Sequence, residues 1–132
     1  MYNNKRAMEK YKQQSILTAS PEELTLMLYN GCLKYILLGK EFIVQKNIPK
    51  ANENIMKAQK IISHLQTTLN MDFAIAKDFD SMYEFMLQLL VKANIKKDTE
   101  KLEQAYELVE DFRDTWHQAM KKAVTERIQS AI

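Results

Sequence analysis

Residues 18–44 read TASPEELTLMLYNGCLKYILLGKEFIV, and the reading of this stretch decides the fold. Ser20 is placed to cap a helix. Pro21 suits the first helical position, and Glu23, three residues after Ser20, completes a capping box. At about 100° per residue, Leu24, Leu28, Gly31, Tyr35, Leu38 and Phe42 form one stripe. Leu26, Leu33, Leu37 and Val44 form a second stripe on roughly the opposite side, and Tyr29, Cys32, Ile36 and Ile43 fill one flank between the two. The polar residues Glu23, Asn30, Lys34, Glu41 and Gln45 make only a narrow strip. A helix apolar most of the way round is either buried on several sides or covered by a partner.

Working outward, residues 1–19 are polar and basic, with Lys5, Arg6, Lys10 and Lys12 against Glu9. Their apolar handles are Tyr2, Met8, Tyr11, Ile16 and Leu17. That is too little apolar surface to fold alone, so this arm is expected to be mobile, or a short helix that caps the rest. After a break at Asn47-Ile48-Pro49, a second helix carries Ala51, Ile55, Ala58, Ile62, Leu65 and Leu69 in steps of four and three, the seam of a bundle helix. Asn70 and Asp72 suit a helix end and a new cap. The third helix has a stripe of Ile75, Phe79, Met82, Met86, Leu89 and Ala93. Ala76, Tyr83, Leu87 and Leu90 widen it on one side and Phe85 on the other. Lys96-Lys97-Asp98 ends that helix and caps a fourth, whose seam is Leu102, Ala105, Val109, Phe112, Trp116, Ala119 and Ala123.

The spacing predicts helices over about 21–45, 49–69, 72–94 and 99–125, joined by short connections. The fold class expected is therefore all-α: an antiparallel up-down four-helix bundle over 20–132 with an N-terminal capping arm over 1–19. The chain of 132 residues fits one domain, and 2 Gly and 2 Pro argue against a sheet with its turns. Eight Met either fill core gaps or line a surface that accepts more than one apolar shape. The second and fourth helices carry one seam each, whereas the first and third have apolar surface to spare. A surplus of this kind marks a binding surface, for which an amphipathic helix is the natural ligand.

Little in the sequence points to chemistry. His64 sits off its seam, and His117 follows Asp114 by three, one weak approximation to the paired Glu-x-x-His sets of bundle metal sites. No metal, no cofactor and no enzymatic activity are expected. Cys32 is the one cysteine and is expected to be a buried, inert thiol. There is no Gly-rich phosphate loop. A net charge of +2 argues against a bulk nucleic-acid role, although residues 20–120 are mildly acidic. The N-terminus lacks an apolar signal core and no apolar run is long enough to span a bilayer, so a cytoplasmic location without membrane insertion is expected.

Several of these residues also carry a family pattern. Tyr11, Ile16 and Thr18-Ala19-Ser20-Pro21-Glu22-Glu23-Leu24 lead into Met27-Leu28-Tyr29-Asn30-Gly31. They are followed by Lys57-Ala58-Gln59-Lys60-Ile61-Ile62, Ile75-Ala76, Met82-Tyr83, Ala93-Asn94, Asp98 and Trp116. Over about 11–117 the sequence resembles the FliS family of flagellar secretion chaperones. It departs from the pattern at Asn70-Met71-Asp72-Phe73, where a Gly is common, and at Asn30, where Asp is common.

The resemblance implies a helical bundle that binds the disordered C-terminal segment of flagellin in the cytoplasm. It implies that the protein keeps the segment from polymerising early and presents it to the flagellar export gate. On this reading Leu26, Leu33, Leu37 and Val44 line one groove and Phe85 and Leu89 another. Tyr29 sits at the margin, and the arm covers part of the surface through Tyr11, Ile16 and Leu17. The free protein is then a monomer or a weak homodimer. The competing reading is a homodimer joined across the first and third helices, with no client.

Overall fold

The computed structural model describes residues 2–131, apart from the side chains of Tyr2, Asn3, Ser15, Val124, Thr125, Arg127, Ile128, Ser130 and Ala131. The Tyr2 handle on the arm therefore lies outside the described side chains. Five helices follow one another: α1 Tyr2–Thr18, α2 Pro21–Val44, α3 Ile48–Thr67, α4 Ala74–Lys96 and α5 Thr99–Ala131. Among the described residues there is no strand. α2 packs on α3 and α5, and α4 packs on the same two, so the four make a closed ring in which neighbours run antiparallel. α1 takes no share in this ring. Residues 2–18, expected as a mobile arm or a short cap, are one helix of 17 residues standing apart from the bundle.

The helix ends follow the local chemistry. The Ser20 hydroxyl accepts the Glu23 N–H at 3.2 Å. Asn47 accepts the Lys50 N–H at 3.3 Å, which starts α3 at Ile48. Asp98 accepts from both Glu100 and Lys101 at the head of α5. The expected cap at Asp72 is not there. The Asn70 side chain accepts the Asp72 N–H at 3.0 Å, a local turn that holds the chain out of helix, so α4 begins at Ala74 behind an extended Phe73. At its other end α4 closes on Lys97 in the left-handed region (φ 52°), whose ammonium donates to the Asn94 carbonyl at 2.6 Å. α5 runs on to Ala131, past the expected end near 125.

The seams of α3 and α5 lie in the core as spaced: Ala51, Ile55, Ala58, Ile62, Leu102, Ala105 and Val109 are fully buried. α2 turns differently from its longest stripe, and α4 buries only the later half of its own, Met86, Leu89 and Ala93. On α2 the core line is Tyr29, Cys32, Leu33, Ile36 and Gly39: three residues of the expected flank, joined by Leu33 from the second stripe and by Gly39. On α4 it is Ala76, Tyr83, Met86, Leu89, Leu90 and Ala93, while Ile75, first in the expected stripe, is exposed. The reason is the ring: each of these helices faces two neighbours at once, and the direction between those neighbours selects the buried line. The first stripe of α2 then lies against α3. Gly31 faces Ile61, and the ammonium groups of Lys57 and Lys50 sit over the Tyr35 and Phe42 rings at 5.4 and 5.5 Å.

Candidate functional site

The helices meet tightly at one end of the bundle and open at the other. At the open end the head of α2, the tail of α3, the 68–73 connection, the head of α4 and Trp116 of α5 enclose a cleft of about 760 Å³. Its walls are apolar: Leu24 and Leu28 from α2, Leu65 and Leu69 from α3 and its end, Phe79 from α4. Its rim carries apolar side chains facing solvent, with Phe73 63% and Ile75 59% exposed. The 68–73 turn keeps Phe73 outside any helix, which is why so large a ring stands at the mouth rather than in the core.

Fixed hydrogen bonds frame the opening. The Trp116 indole N–H donates to the Glu22 carbonyl at 3.0 Å, tying α5 to the first turn of α2. Gln66 donates to Asp80 and Glu84, tying α3 to α4 beside the cleft. Phe79 packs edge-on against Phe112, with centroids 5.7 Å apart. Deeper in, the Tyr29 and Tyr83 hydroxyls are hydrogen-bonded to each other at 2.5 Å, and both side chains are buried. Burial raises the pKa of each hydroxyl above the ordinary tyrosine value, so both stay protonated at any working pH. A second hollow of about 320 Å³ continues past Trp116 to Ala119, Met120 and Ala123, next to Ser20. It puts the apolar tail of the α5 seam, expected in the core, on the bundle's outer end.

The residues expected to bind a partner fall into three groups. Leu33 and Leu89 are buried members of the core rather than groove residues, and Tyr29 is buried as well, in the lining of the cleft. Leu33 lies about 60° round α2 from the central Ile36, close enough to be drawn in, whereas Leu37 lies about 100° away and is half exposed. Leu37, Val44 and Phe85 do stand on the surface, and Leu26 is half-buried. Leu37 shares a small groove with Lys40 and Tyr106 between α2 and α5, remote in sequence from the cleft's walls. Tyr11, Ile16 and Leu17 are exposed on α1, with Leu17 at 83%. Only Tyr29 of the ten lines the cleft. The cleft residues Leu24, Leu65, Phe73, Ile75 and Phe79 were not singled out. The signal available for them was an apolar turn, Met71 and Phe73 in a connection that chemistry would make polar.

Among the described residues no group of three His, Cys, Asp or Glu is placed to hold a metal ion, and no helix is long and apolar enough to cross a membrane. His64 lies at the cleft and is exposed. Cys32 is buried, its thiol directed at the Ala58 carbonyl (3.7 Å), and burial pushes its pKa up to about 12.

A model of the family "Flagellar protein FliS" matches residues 2–123. The chain belongs to the FliS family. It is 46% identical over 117 residues to the flagellar secretion chaperone FliS of Bacillus subtilis (strain 168), covering 89% of this chain and 88% of that protein. It is 32% identical over 118 residues to the protein of the same name from Vibrio cholerae, covering 85% and 87%. Among solved structures it is similar to a crystal structure of a flagellar chaperone from bacteria, with a TM-score of 0.72 over 90% of this chain and 98% of that one. At 17% identity that likeness speaks to the FliS fold alone.

Proposed function

We propose that this protein is a cytoplasmic, non-enzymatic export chaperone that holds the disordered C-terminal segment of flagellin and hands it to the flagellar export gate. Family membership supports the role, and the open apolar cleft is the observation that carries it. A bundle that needed only to be stable would close this end. Here about 760 Å³ is left open and rimmed by Phe73 and Ile75. A segment that is disordered when free gains an apolar face to fold against, and its own apolar residues leave water. The half-exposed Leu37, Val44 and Phe85 extend the apolar contact along the outside of α2 and α4. Leu26, Leu33 and Leu89 support those surfaces from beneath. α1 is hinged to α2 by two residues and exposes Tyr11, Ile16 and Leu17, so it can cover the same end of the bundle when no client is bound.

Calorimetric titration with a peptide of the C-terminal flagellin segment tests this. One-to-one binding with a large negative heat-capacity change is expected. Phe73→Asp combined with Ile75→Asp should weaken binding at least about a hundredfold while leaving helicity and unfolding midpoint unchanged, because both side chains already face water. No binding, together with a stable dimer by light scattering, would sink the proposal and make the apolar surface a contact between copies.

A further inference from the structure

The cleft is lined mostly by apolar side chains, with Thr25, His64, Thr68 and Asn70 among its polar ones, and two tyrosines add a buried pair of hydroxyls. Tyr29 on α2 and Tyr83 on α4 both line it, and their hydroxyl oxygens are 2.5 Å apart. Each side chain is only 3% exposed. A hydroxyl has one hydrogen to donate, so a pair joined by one hydrogen bond uses one hydrogen of two. Both hydroxyls are kept neutral by burial, so both hydrogens are present. The second hydrogen belongs to whichever hydroxyl accepts the first. The Phe112 ring packs against Tyr83, with Phe79 against Phe112 in turn, and neither ring offers a strong acceptor. A buried donor left without a strong partner is costly, and a site that holds one selects for whatever satisfies it.

We infer that the segment which fills the cleft presents a neutral hydrogen-bond acceptor, an Asn or Gln side-chain carbonyl, to the hydroxyl hydrogen that the Tyr29–Tyr83 pair leaves unused. This rests on the reading above that a flagellin C-terminal segment occupies the cleft, and adds how the segment's register is set. Apolar contacts alone tolerate a slide of one helical turn. A single polar contact at the floor does not, because a slipped segment would leave both the hydroxyl and its own amide buried without partners. A charged acceptor is disfavoured, since no lysine or arginine lines the cleft to accompany it.

The test is a set of titrations of the full chain with the flagellin segment. Tyr29→Phe with Tyr83→Phe removes both donors and should weaken binding about tenfold. Each single variant leaves one hydroxyl whose partner can only be the segment, so each should bind at least as tightly as the unaltered protein. In the segment, changing one particular Asn or Gln to Leu should cost the same factor, with no further loss when combined with the double variant. The peptide substitutions are made against the unaltered protein as well, so the outcome stands even if the double variant folds poorly. Unchanged or tighter binding by a folded double variant, or no Asn or Gln whose replacement matters, overturns the inference and leaves the chaperone reading intact. Failure of the unaltered protein to bind the segment at all overturns both.

Discussion

The two ends of the bundle are built from the same four helices and differ in how closely these approach. At the end where α2 meets the start of α3, a Cβ on Gly39 would lie 2.8 Å from Ile55 Cγ1, so the Ile55 side chain packs into the space that the glycine leaves. Ala51, Ala93 and Ala105 fill the space between helices there, and the Asn94 amide reaches across to Asn52 at 2.8 Å. At the other end large side chains line the walls, Leu65, Phe79 and Trp116 among them, and a cleft remains. Small residues draw helices together and large ones on facing helices hold them apart. The contrast teaches that close packing and open apolar space are divided between the ends of one core.

The sharpest way to break the contrast is at the tight end. Gly39→Leu should lower stability by about 3 kcal/mol in urea unfolding, because the new side chain has nowhere to go but into Ile55. A loss below 1 kcal/mol would mean that the closed end relaxes easily and that the contrast is smaller than drawn. At the open end, Tyr83→Phe strands the Tyr29 hydroxyl in a buried site and should cost about 2 kcal/mol. Adding Tyr29→Phe should restore part of that loss, since no unpaired hydroxyl then remains; an additive loss would contradict the pairing.

The core between the ends responds to pH in one direction. Cys32 keeps its proton in the folded state up to about 12 but releases it near 9.0 when unfolded, so the unfolded chain gains stability from ionisation first. The contribution is complete below pH 9 and is lost above it by about 1.4 kcal/mol per pH unit, joined above pH 10 by the two buried tyrosines. Unfolding midpoints measured from pH 7 to 11 should be flat and then fall, and Cys32→Ala should flatten the first part of the fall. The smallest effect belongs to the surface. The Lys40–Glu103 ion pair links α2 to α5 at the tight end with both side chains well exposed, so Lys40→Ala should change stability by about 0.5 kcal/mol or less, fading with salt. A larger loss would show that this end is held by charge as well as by close packing.

Much of this was legible beforehand in α3 and α5. Each has one seam and polar residues elsewhere, and the seam from Ala51 to Leu65 is buried as its spacing indicates. α2 and α4 were legible as helices and not as orientations. Three apolar lines run along α2, and helical spacing ranks none of them. The flank line, through Tyr29, Cys32 and Ile36, turned inward because α3 and α5 flank it. The same ambiguity put Leu33 and Leu89 among expected groove residues when they are core, whereas Leu37 and Phe85 are exposed. The cleft was missed because it belongs to no single helix: its walls come from four of them and a turn.

By itself, the sequence determined the four bundle helices, the caps at Ser20 and Asp98, the antiparallel order and the surplus of apolar surface. These follow from local hydrogen bonding and from spacing along one chain. Only the tertiary structure decided which apolar line of α2 and α4 is core, where the Tyr29 and Tyr83 hydroxyls meet, and that the leftover space gathers at one end. Those are properties of distances between helices. They depend on the sizes of side chains that face one another from positions as far apart in the chain as 29 and 83, a pairing that no periodicity records.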